Sequence, residues 1–493
     1  MISWTGLIDG WPAWIGAVVL VLDVAIRVLM LGIVPGNRRP TTAMAWLMTI
    51  FFIPYVGLFI FLAFGSNKLN SRRRKRQLAI NEQILVATRT ERPRNALPDG
   101  HPDWVHSAVH LNHELGAFPP TSGNSLTYFT DYKASLRAVA EEIDRAKDYA
   151  HVQFYIVGDD PEYVDPVLSA MERAVARGVK VRFLYDQLGS WRVKGYKALK
   201  RRLTDGGIEW YRMLPLAPLQ WRWRRPDLRN HRKIVVVDGQ VAFTGSMNLI
   251  EPGYKRKKSH ELGREWVEIL ARVEGPLVDH FDVVFATDWN LESNEQIFDQ
   301  LEGAELDRPG TITGQVVPSG PGFPEENNLR LFNTLLYSAQ HVVRMTSPYF
   351  VPDDSLLYAI TTAAQRGVRV DLYVCEAGDH ALTNHAQQSY YQGLLEAGVR
   401  IFRYRAPMVL HTKCVTIDDQ VAVFGSSNFD MRSFSLNAEI TTMLLGEESV
   451  DELDKVMDLY EGESTLLTLE SWNERSAGQR WLDNVGRLTA VLQ

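Results

Sequence analysis

With 493 residues, the chain has room for more than one domain. Its 45% hydrophobic content is ordinary in amount but not in distribution, because positions 11–64 are nearly continuous apolar sequence. The formal net charge of −6 hides a local basic cluster and says little about partners, while the two cysteines, Cys375 and Cys414, sit in apolar strand-like runs that do not suggest a disulfide scaffold and fit a reducing compartment.

Two apolar segments come first, at residues 11–34 and 42–64, each long enough to cross a hydrocarbon core of roughly 30 Å. Only the turn Pro35-Gly36-Asn37-Arg38-Arg39-Pro40 separates them, so the expected structure is a membrane hairpin. No lysine or arginine precedes the first segment, which argues against a signal peptide. Asp23 and Arg27 lie within it at i,i+4 and are expected to neutralise each other, and Pro54 is expected to kink the second span. Lys68, Arg72, Arg73, Arg74, Lys75 and Arg76 outnumber Arg38 and Arg39, so the positive-inside bias puts everything after residue 76 in the cytoplasm. The same run suits anionic headgroups.

Past a polar stretch the sequence repeats itself. A helix over 132–147, a strand over 151–157, a helix through 167–177 and a strand over 179–185 match a helix over 329–340, a strand over 341–351, a helix ending at Arg366 and a strand over 368–374. Ala176-Arg177-Gly178-Val179-Lys180-Val181 against Gln365-Arg366-Gly367-Val368-Arg369-Val370 is close to a literal copy. Such alternation predicts α/β architecture, sheets with helices on both faces, twice over. The domains expected are a membrane hairpin at 1–66, a basic linker at 67–120, and repeats at 121–305 and 306–493. The first repeat carries about 11 extra residues within 214–225, where alternating tryptophan and arginine suit either a membrane interface or an ordinary packed loop.

The polar phrases are also duplicated. His231 and Lys233 are followed by Asp238 and by Gly245-Ser246-Met247-Asn248, and 180 residues later His411 and Lys413 are followed by Asp418 and by Gly425-Ser426-Ser427-Asn428. On a strand, histidine and lysine share a face. A two-residue turn at Asp238-Gly239 pairs Val237 with Gln240 and hence His231 with Ser246, and the same count pairs His411 with Ser426. The aspartates then belong to the turns. Two lysines supply fixed charge for phosphate oxygens, Asn248 and Asn428 add hydrogen bonds, and two histidines supply a nucleophile and a proton donor. Glu268 and Glu439, at matching places in the halves, are expected to orient the histidines. Lysine is a poor metal ligand, so neither a metal nor another cofactor is expected. His380, His385, Tyr390 and Tyr391 fit a pocket lining but read first as a solvated helix, and Cys414 reads as core.

The doubled H-x-K-x4-D phrases, each followed by G-S-x-N, resemble the phospholipase D superfamily. With the two spans, the Arg38-Arg39-Pro40 turn, Asp227-Leu228-Arg229-Asn230-His231-Arg232-Lys233 and Ser246-Met247-Asn248-Leu249, the chain is similar to the bacterial cardiolipin synthases over nearly its whole length. The resemblance implies two phospholipase D-like α/β lobes, mixed sheets flanked by helices in pseudo-twofold arrangement, behind an N-terminal transmembrane hairpin. It implies a catalytic set of His231, Lys233, Asp238, His411, Lys413 and Asp418, with Ser246, Asn248, Ser426, Asn428, Glu268 and Glu439 binding phosphate or supporting the site. It makes His231 the nucleophile, through a phosphohistidine, and His411 the acid/base. Glu268 departs from the aspartate common in the family on that side. The implied reaction moves a phosphatidyl group between two phosphatidylglycerol molecules, giving cardiolipin and glycerol. The implied partners are phosphatidylglycerol, other anionic phospholipids and the bilayer, not nucleic acid. The implied location is the bacterial inner membrane, multi-pass, with cytoplasmic catalytic lobes. Hydrolysis to phosphatidic acid, nuclease activity and an inactive lipid-binding scaffold are the rivals weighed against this.

Overall fold

A computed structural model describes residues 13–36, 38, 40–65, 97, 100–216, 226–298, 307–323 and 326–488. The basic run from Lys68 to Arg76, most of the expected linker and the Trp221–Arg225 segment fall outside the described residues. The chain divides into two compact units, Met1–Lys68 and Leu69–Gln493.

In the first unit, α1 (Ala13–Ile33) is a single apolar helix long enough to cross a membrane. Asp23 and Arg27 form their ion pair at 2.8 Å, as their spacing requires. The second apolar segment is not one span. It breaks at Ile53 into α2 (Pro40–Phe52) and α3 (Pro54–Phe64), of 13 and 11 residues, each shorter than a roughly 30 Å core. Pro54 does more than kink the helix. It starts a new one that folds back on α2, with the Trp46 and Phe61 rings 5.5 Å apart and the Arg38 guanidinium donating to Gly65 O at 2.9 and 3.1 Å. Three separate helices thus stand where two spans were expected.

The second unit is built on one sheet. Its first-half strands are β1 (Thr121–Phe129), β2 (Tyr149–Phe154), β3 (Lys180–Asp186), β4 (Glu209–Met213), β5 (Ile234–Val237), β6 (Val241–Gly245) and β8 (Leu270–Glu274), with a short β7 (Trp266–Val267) set apart. The second half supplies β9 (Ile312–Ser319), β10 (Val342–Thr346), β11 (Arg369–Cys375), β12 (Arg400–Tyr404), β14 (Cys414–Ile417), β15 (Val421–Gly425), β16 (Glu439–Leu445) and β17 (Ser464–Leu467), with a short β13 (Val409–Leu410) set apart. The order β17-β12-β11-β10-β14-β15-β16-β9-β1-β8-β6-β5-β2-β3-β4 reads the same outward from the centre in both directions, apart from the extra β17. Antiparallel pairing of β1 with β9 joins the halves, so the two expected sheets are one. Parallel pairs such as β2–β3 and antiparallel pairs such as β5–β6 make each half mixed.

The helices between strands start and stop as the sequence dictates. Asp131 caps Tyr132–Arg145 through Ala134 N, Asp353 caps Asp354–Gln365 through Leu356 N, and Gly178 and Gly367 close the matching helices Asp165–Ala176 and Asp354–Gln365 at φ of +91° and +95°. Core residues from both halves mix in one cluster, where Ile234, Ala242 and Phe281 meet Tyr373, Phe424 and Met457. The lobes therefore share a core rather than merely touching.

Candidate active site

Each histidine phrase leaves its strand just before the ladder begins and crosses to the other half. His231 N donates to Ala438 O at 2.8 Å, and His411 N donates to Val267 O at 2.8 Å. The strand β13 runs parallel to β7, pairing Leu410 with Val267, and Asn230 bridges to Ala438 in the same sense. The next residue on each receiving segment is a glutamate. As a result His231 Nδ1 lies 2.9 Å from Glu439 Oε2, and His411 Nδ1 lies 2.9 Å from Glu268 Oε1. Glu268 and Glu439 do face the histidines, each across the pseudo-dyad, a geometry that matching positions in two repeats do not reveal.

The surroundings of the two pairs differ. His231 Nδ1 also lies 3.0 Å from Ser426 O, so it faces two acceptors. Glu439 accepts from Ser426 Oγ at 2.5 Å, Ser433 Oγ at 3.0 Å and Asn437 Nδ2 at 3.3 Å. His411 Nδ1 instead has Lys413 Nζ at 3.0 Å. Glu268 Oε1 accepts from the Tyr254 hydroxyl at 2.8 Å, which in turn takes a hydrogen bond from Asn248 Nδ2 at 2.9 Å. Tyr254 and Lys255 reach these positions with φ of +58° and +55°, a sparsely populated region for such residues, on a loop fastened by Glu251 to Gly253 N at 2.7 Å.

Both histidines line one cleft of about 690 Å³, together with Tyr155, Asn248, Tyr254, Tyr349, Asn428 and Arg432. The Tyr155 ring stands edge-on to His231 at 4.8 Å, and Tyr254 and Tyr349 stand likewise to His411. Arg192, Lys194, Lys255 and Arg256 add positive charge to the walls, against Asp379 and Asp430. His380 belongs to this wall, 3.3 Å from Asp379, which corrects its reading as part of a solvated helix. Tyr390 and Tyr391 are buried in the core, and His385 pairs with Asp483 at 2.8 Å. Cys414 and Cys375 are buried and free, with burial pushing both thiols up to about 12.

Lys233 and Lys413 do not line the open cleft. Both are buried, and each Nζ donates to the carbonyl of its own histidine, Lys233 at 2.6 Å. Burial pulls Lys233 down to about 7, with the Lys413 charge acting the same way against Glu439, and pulls Lys413 down to about 8 against the two carboxylates. Burial also lowers both imidazoles, His231 to about 4, with the lysine charges assisting and the facing glutamates opposing. Burial would by itself raise Glu268 and Glu439, but the imidazoles and lysines hold both below the usual carboxylate range. Two carboxylates then balance two ammoniums, and both imidazoles rest neutral.

The hairpins explain the remaining motif residues and correct two expectations. Val237 pairs with Val241 and Ile417 with Val421, one residue out of the expected register. The turn takes an additional residue because Asp238 and Asp418 are tied to neighbouring strands. Asp238 accepts from the backbone N–H groups of Lys147, Asp148 and Tyr149, and Asp418 from those of Gln340, His341 and Val342, all at 2.8–2.9 Å. Both aspartates sit seven residues along the chain from their histidines, roughly 20 Å in extended strand, so the geometry separates them from the cleft. Ser246 and Ser426 are fully buried and hydrogen-bond the chain at Ile269 and Ile440, directly after the glutamates. A Cβ at Gly245 or Gly425 would collide with the carbonyls of those same residues, which is why glycine precedes each serine. Asn248 Oδ1 accepts from Ile156 N at 3.1 Å, while Asn428 N donates to Ser433 Oγ at 3.1 Å.

A buried ionic network unmarked by periodicity holds the phrase in place. Arg232 donates twice to Asp288 at 2.9 Å and reaches Glu439 O and Ser319 O in the other half. Asn230 and Gln153 also bond Asp288, and Arg229 bonds Asp186. The signal was present in the sequence as a run of polar residues flanking His231, but their partners lie more than forty positions away. Among the described residues, no group of three or more His, Cys, Asp or Glu side chains is arranged to hold a metal ion.

Residues 139–289 and 332–459 match the family described as "Cardiolipin synthase, PLD-like domain". The chain belongs to that family. Cardiolipin synthase A of Proteus mirabilis (strain HI4320) is 34% identical over 474 residues, covering 94% of this chain and 95% of its own length. Cardiolipin synthase A of Yersinia pseudotuberculosis serotype O:1b (strain IP 31758) is also 34% identical, over 486 residues, 97% of this chain and 96% of its own. The phosphatidylserine synthase of Haemophilus influenzae Rd KW20 shares the fold at a TM-score of 0.57 and 15% identity, over 75% of this chain and 95% of its own. The two matched segments of the cardiolipin synthase family each contain one histidine phrase, so the family's domain occurs twice here, once in each half of the sheet.

Proposed function

We propose that the chain joins two phosphatidylglycerol molecules into cardiolipin, releasing glycerol, at the cleft shared by the two halves. The observation that carries this reading is the crossed pairing, in which His231 and His411 flank one cleft and each is braced by the other half's glutamate. His231 Nδ1, facing a carbonyl and a carboxylate, must carry a proton, which leaves the Nε2 lone pair for attack on phosphorus. The P–O bond to glycerol breaks as the P–N bond forms, and His411 gives a proton to the leaving oxygen. His411 obtains that protonated state when the phosphodiester anion enters beside it, since added negative charge raises an imidazole pKa. A hydroxyl of the second phosphatidylglycerol then attacks the phosphohistidine, His411 takes its proton, and His231 is regenerated. Lys233 and Lys413, while protonated, supply positive charge from behind the imidazoles, and Asn248, Asn428 and Arg432 face the phosphoryl group from the walls. Asp238 and Asp418 hold the hairpins that aim the phrases.

The membrane arrangement supported best is one crossing by α1, with α2 and α3 entering and leaving by the same face. Every lysine and arginine near the front of the chain, other than Arg27, then lies on the C-terminal side of α1, which the positive-inside bias makes cytoplasmic. The test of function is to reconstitute the full chain with labelled phosphatidylglycerol. Cardiolipin and glycerol in equal amounts are expected, and phosphatidic acid without cardiolipin would establish hydrolysis instead.

A further inference from the structure

We propose that the C-terminal helix, Ala477–Arg487, is an interfacial anchor that beds the mouth of the cleft against phospholipid headgroups. The helix is built with two unlike faces. Trp481, Val485 and Leu488 fall within about 60° of arc, and Leu482 extends the same side. These four are 64%, 36%, 81% and 44% exposed, a row of large apolar side chains with nothing packed on it among the described residues. Arg480, exposed, lies on one flank of that face beyond Asn484, while Arg487 lays its guanidinium over the Tyr390 ring at 4.8 Å. Apolar residues with a tryptophan, flanked by arginine, suit the boundary between headgroups and acyl chains.

The opposite face is fixed. Asp483 is buried, bonding His385 Nδ1 at 2.8 Å and the Arg475 guanidinium. A Cβ at Gly486 would lie 2.8 Å from His385 Cβ and Ala386 N, so glycine brings this helix hard against Ala381–Glu396. A capping box between Ser476 and Gln479 sets its start. The apolar row is therefore held outward by design of the packed side, not left over from fraying.

Position supplies the reason for lipid as the occupant. Asp379, His380 and Thr383 form the cleft wall at the start of Ala381–Glu396, and Gly486 packs about one turn further along the same helix. Leu382, 60% exposed, lies between them. Arg192 and Lys194 are exposed on the lining of the same cleft and add positive charge there. A helix seated this way lets acyl chains stay in the bilayer while the phosphate reaches the histidines. This consequence rests on the phosphatidyl-transfer reading, although the docking itself does not.

The test uses the full chain reconstituted in phosphatidylglycerol-containing vesicles, with an environment-sensitive fluorophore at Leu488→Cys. A blue-shifted emission, quenched by lipids spin-labelled near the headgroup, is expected. In a second arm, Trp481→Glu with Val485→Glu is expected to lower cardiolipin formation from long-chain phosphatidylglycerol at least tenfold, while activity on the water-soluble dihexanoyl substrate stays within twofold. A label that remains water-exposed, a label shielded by a second copy of the chain and not quenched by the spin-labelled lipids, unchanged rates on vesicles, or an equal loss on both substrates would each overturn the proposal. Enzyme that makes no cardiolipin from either substrate would overturn the transfer reading alone, and the quenching would still decide docking.

Discussion

Around His231, Glu439 is gripped by two serines and an asparagine, and Nδ1 meets two acceptors. Around His411, Glu268 is held by the Tyr254 hydroxyl and by one serine, Ser246, and Nδ1 meets one acceptor and one ammonium. The phrases are copies, yet the carboxylates come from opposite halves whose flanking loops have diverged. One loop is the strained segment carrying Tyr254, and the other is the short helix Met431–Ser435 with Ser433. Duplication therefore supplies two histidines, and the unequal loops make them unlike. Under the proposed transfer, two histidines in unlike surroundings suit the opposite roles of nucleophile and proton donor at one phosphorus.

The largest expected effect comes from removing the histidines. His231→Ala and His411→Ala should each lower cardiolipin formation by about 10³-fold or more, as expected for loss of a nucleophile or a general acid. The comparison sharpens if labelled lipid becomes covalently attached in His411→Ala but not in His231→Ala. Attachment in the reverse pattern would exchange the two roles.

The glutamates come next. Glu439→Gln and Glu268→Gln should each cost about 10²-fold, an order of magnitude taken from the usual worth of an orienting or acid/base group. Glu439→Gln should slow adduct formation and the glycerol release that accompanies it, whereas Glu268→Gln should also slow transfer of the adduct to the second phosphatidylglycerol, so that the adduct builds up. Rapid-quench measurement of adduct and free glycerol separates these, and identical kinetic defects would erase the distinction between the pairs.

The pH profile tests the buried charges. A lysine is cationic below its pKa, so with Lys233 near 7 and Lys413 near 8 the site loses positive charge as pH rises through that window. The value of kcat/KM should fall above pH 7–8, while the neutral form of His231, with its pKa near 4, persists well into acid. A flat profile to pH 10 would show that the ammoniums are held more firmly than burial allows.

Smaller effects are expected from Tyr254→Phe and Asp238→Ala. Removing the Tyr254 hydroxyl takes one hydrogen bond from Glu268 and one from Asn248, and should reduce kcat about tenfold with the fold intact, measured beside Ser433→Ala on the other side. Asp238→Ala strips three backbone N–H groups of their acceptor and should cost about 2 kcal/mol of stability. Turnover per folded molecule should stay near wild type, since the aspartate lies at the turn. A Tm shift without loss of specific activity is the reading to look for.

The sequence by itself determined the duplication, the alternation of strand and helix, the apolar front end and the residue types gathered at the site. These are local or repetitive signals, and period, capping and spacing carry them directly. Only the tertiary structure decided which partners meet. Glu439 serves His231 and Glu268 serves His411 because each histidine phrase crosses the pseudo-dyad to pair with the other half, a contact made 208 and 143 residues apart. The hairpin register moved by one residue because Asp238 and Asp418 bond to strands that a two-strand count ignores. The second apolar segment folds back at Pro54 because hydropathy measures how much apolar sequence there is, and not where the backbone turns. The single sheet formed because β1 and β9 each offered an unpaired edge, and joining those edges buries both.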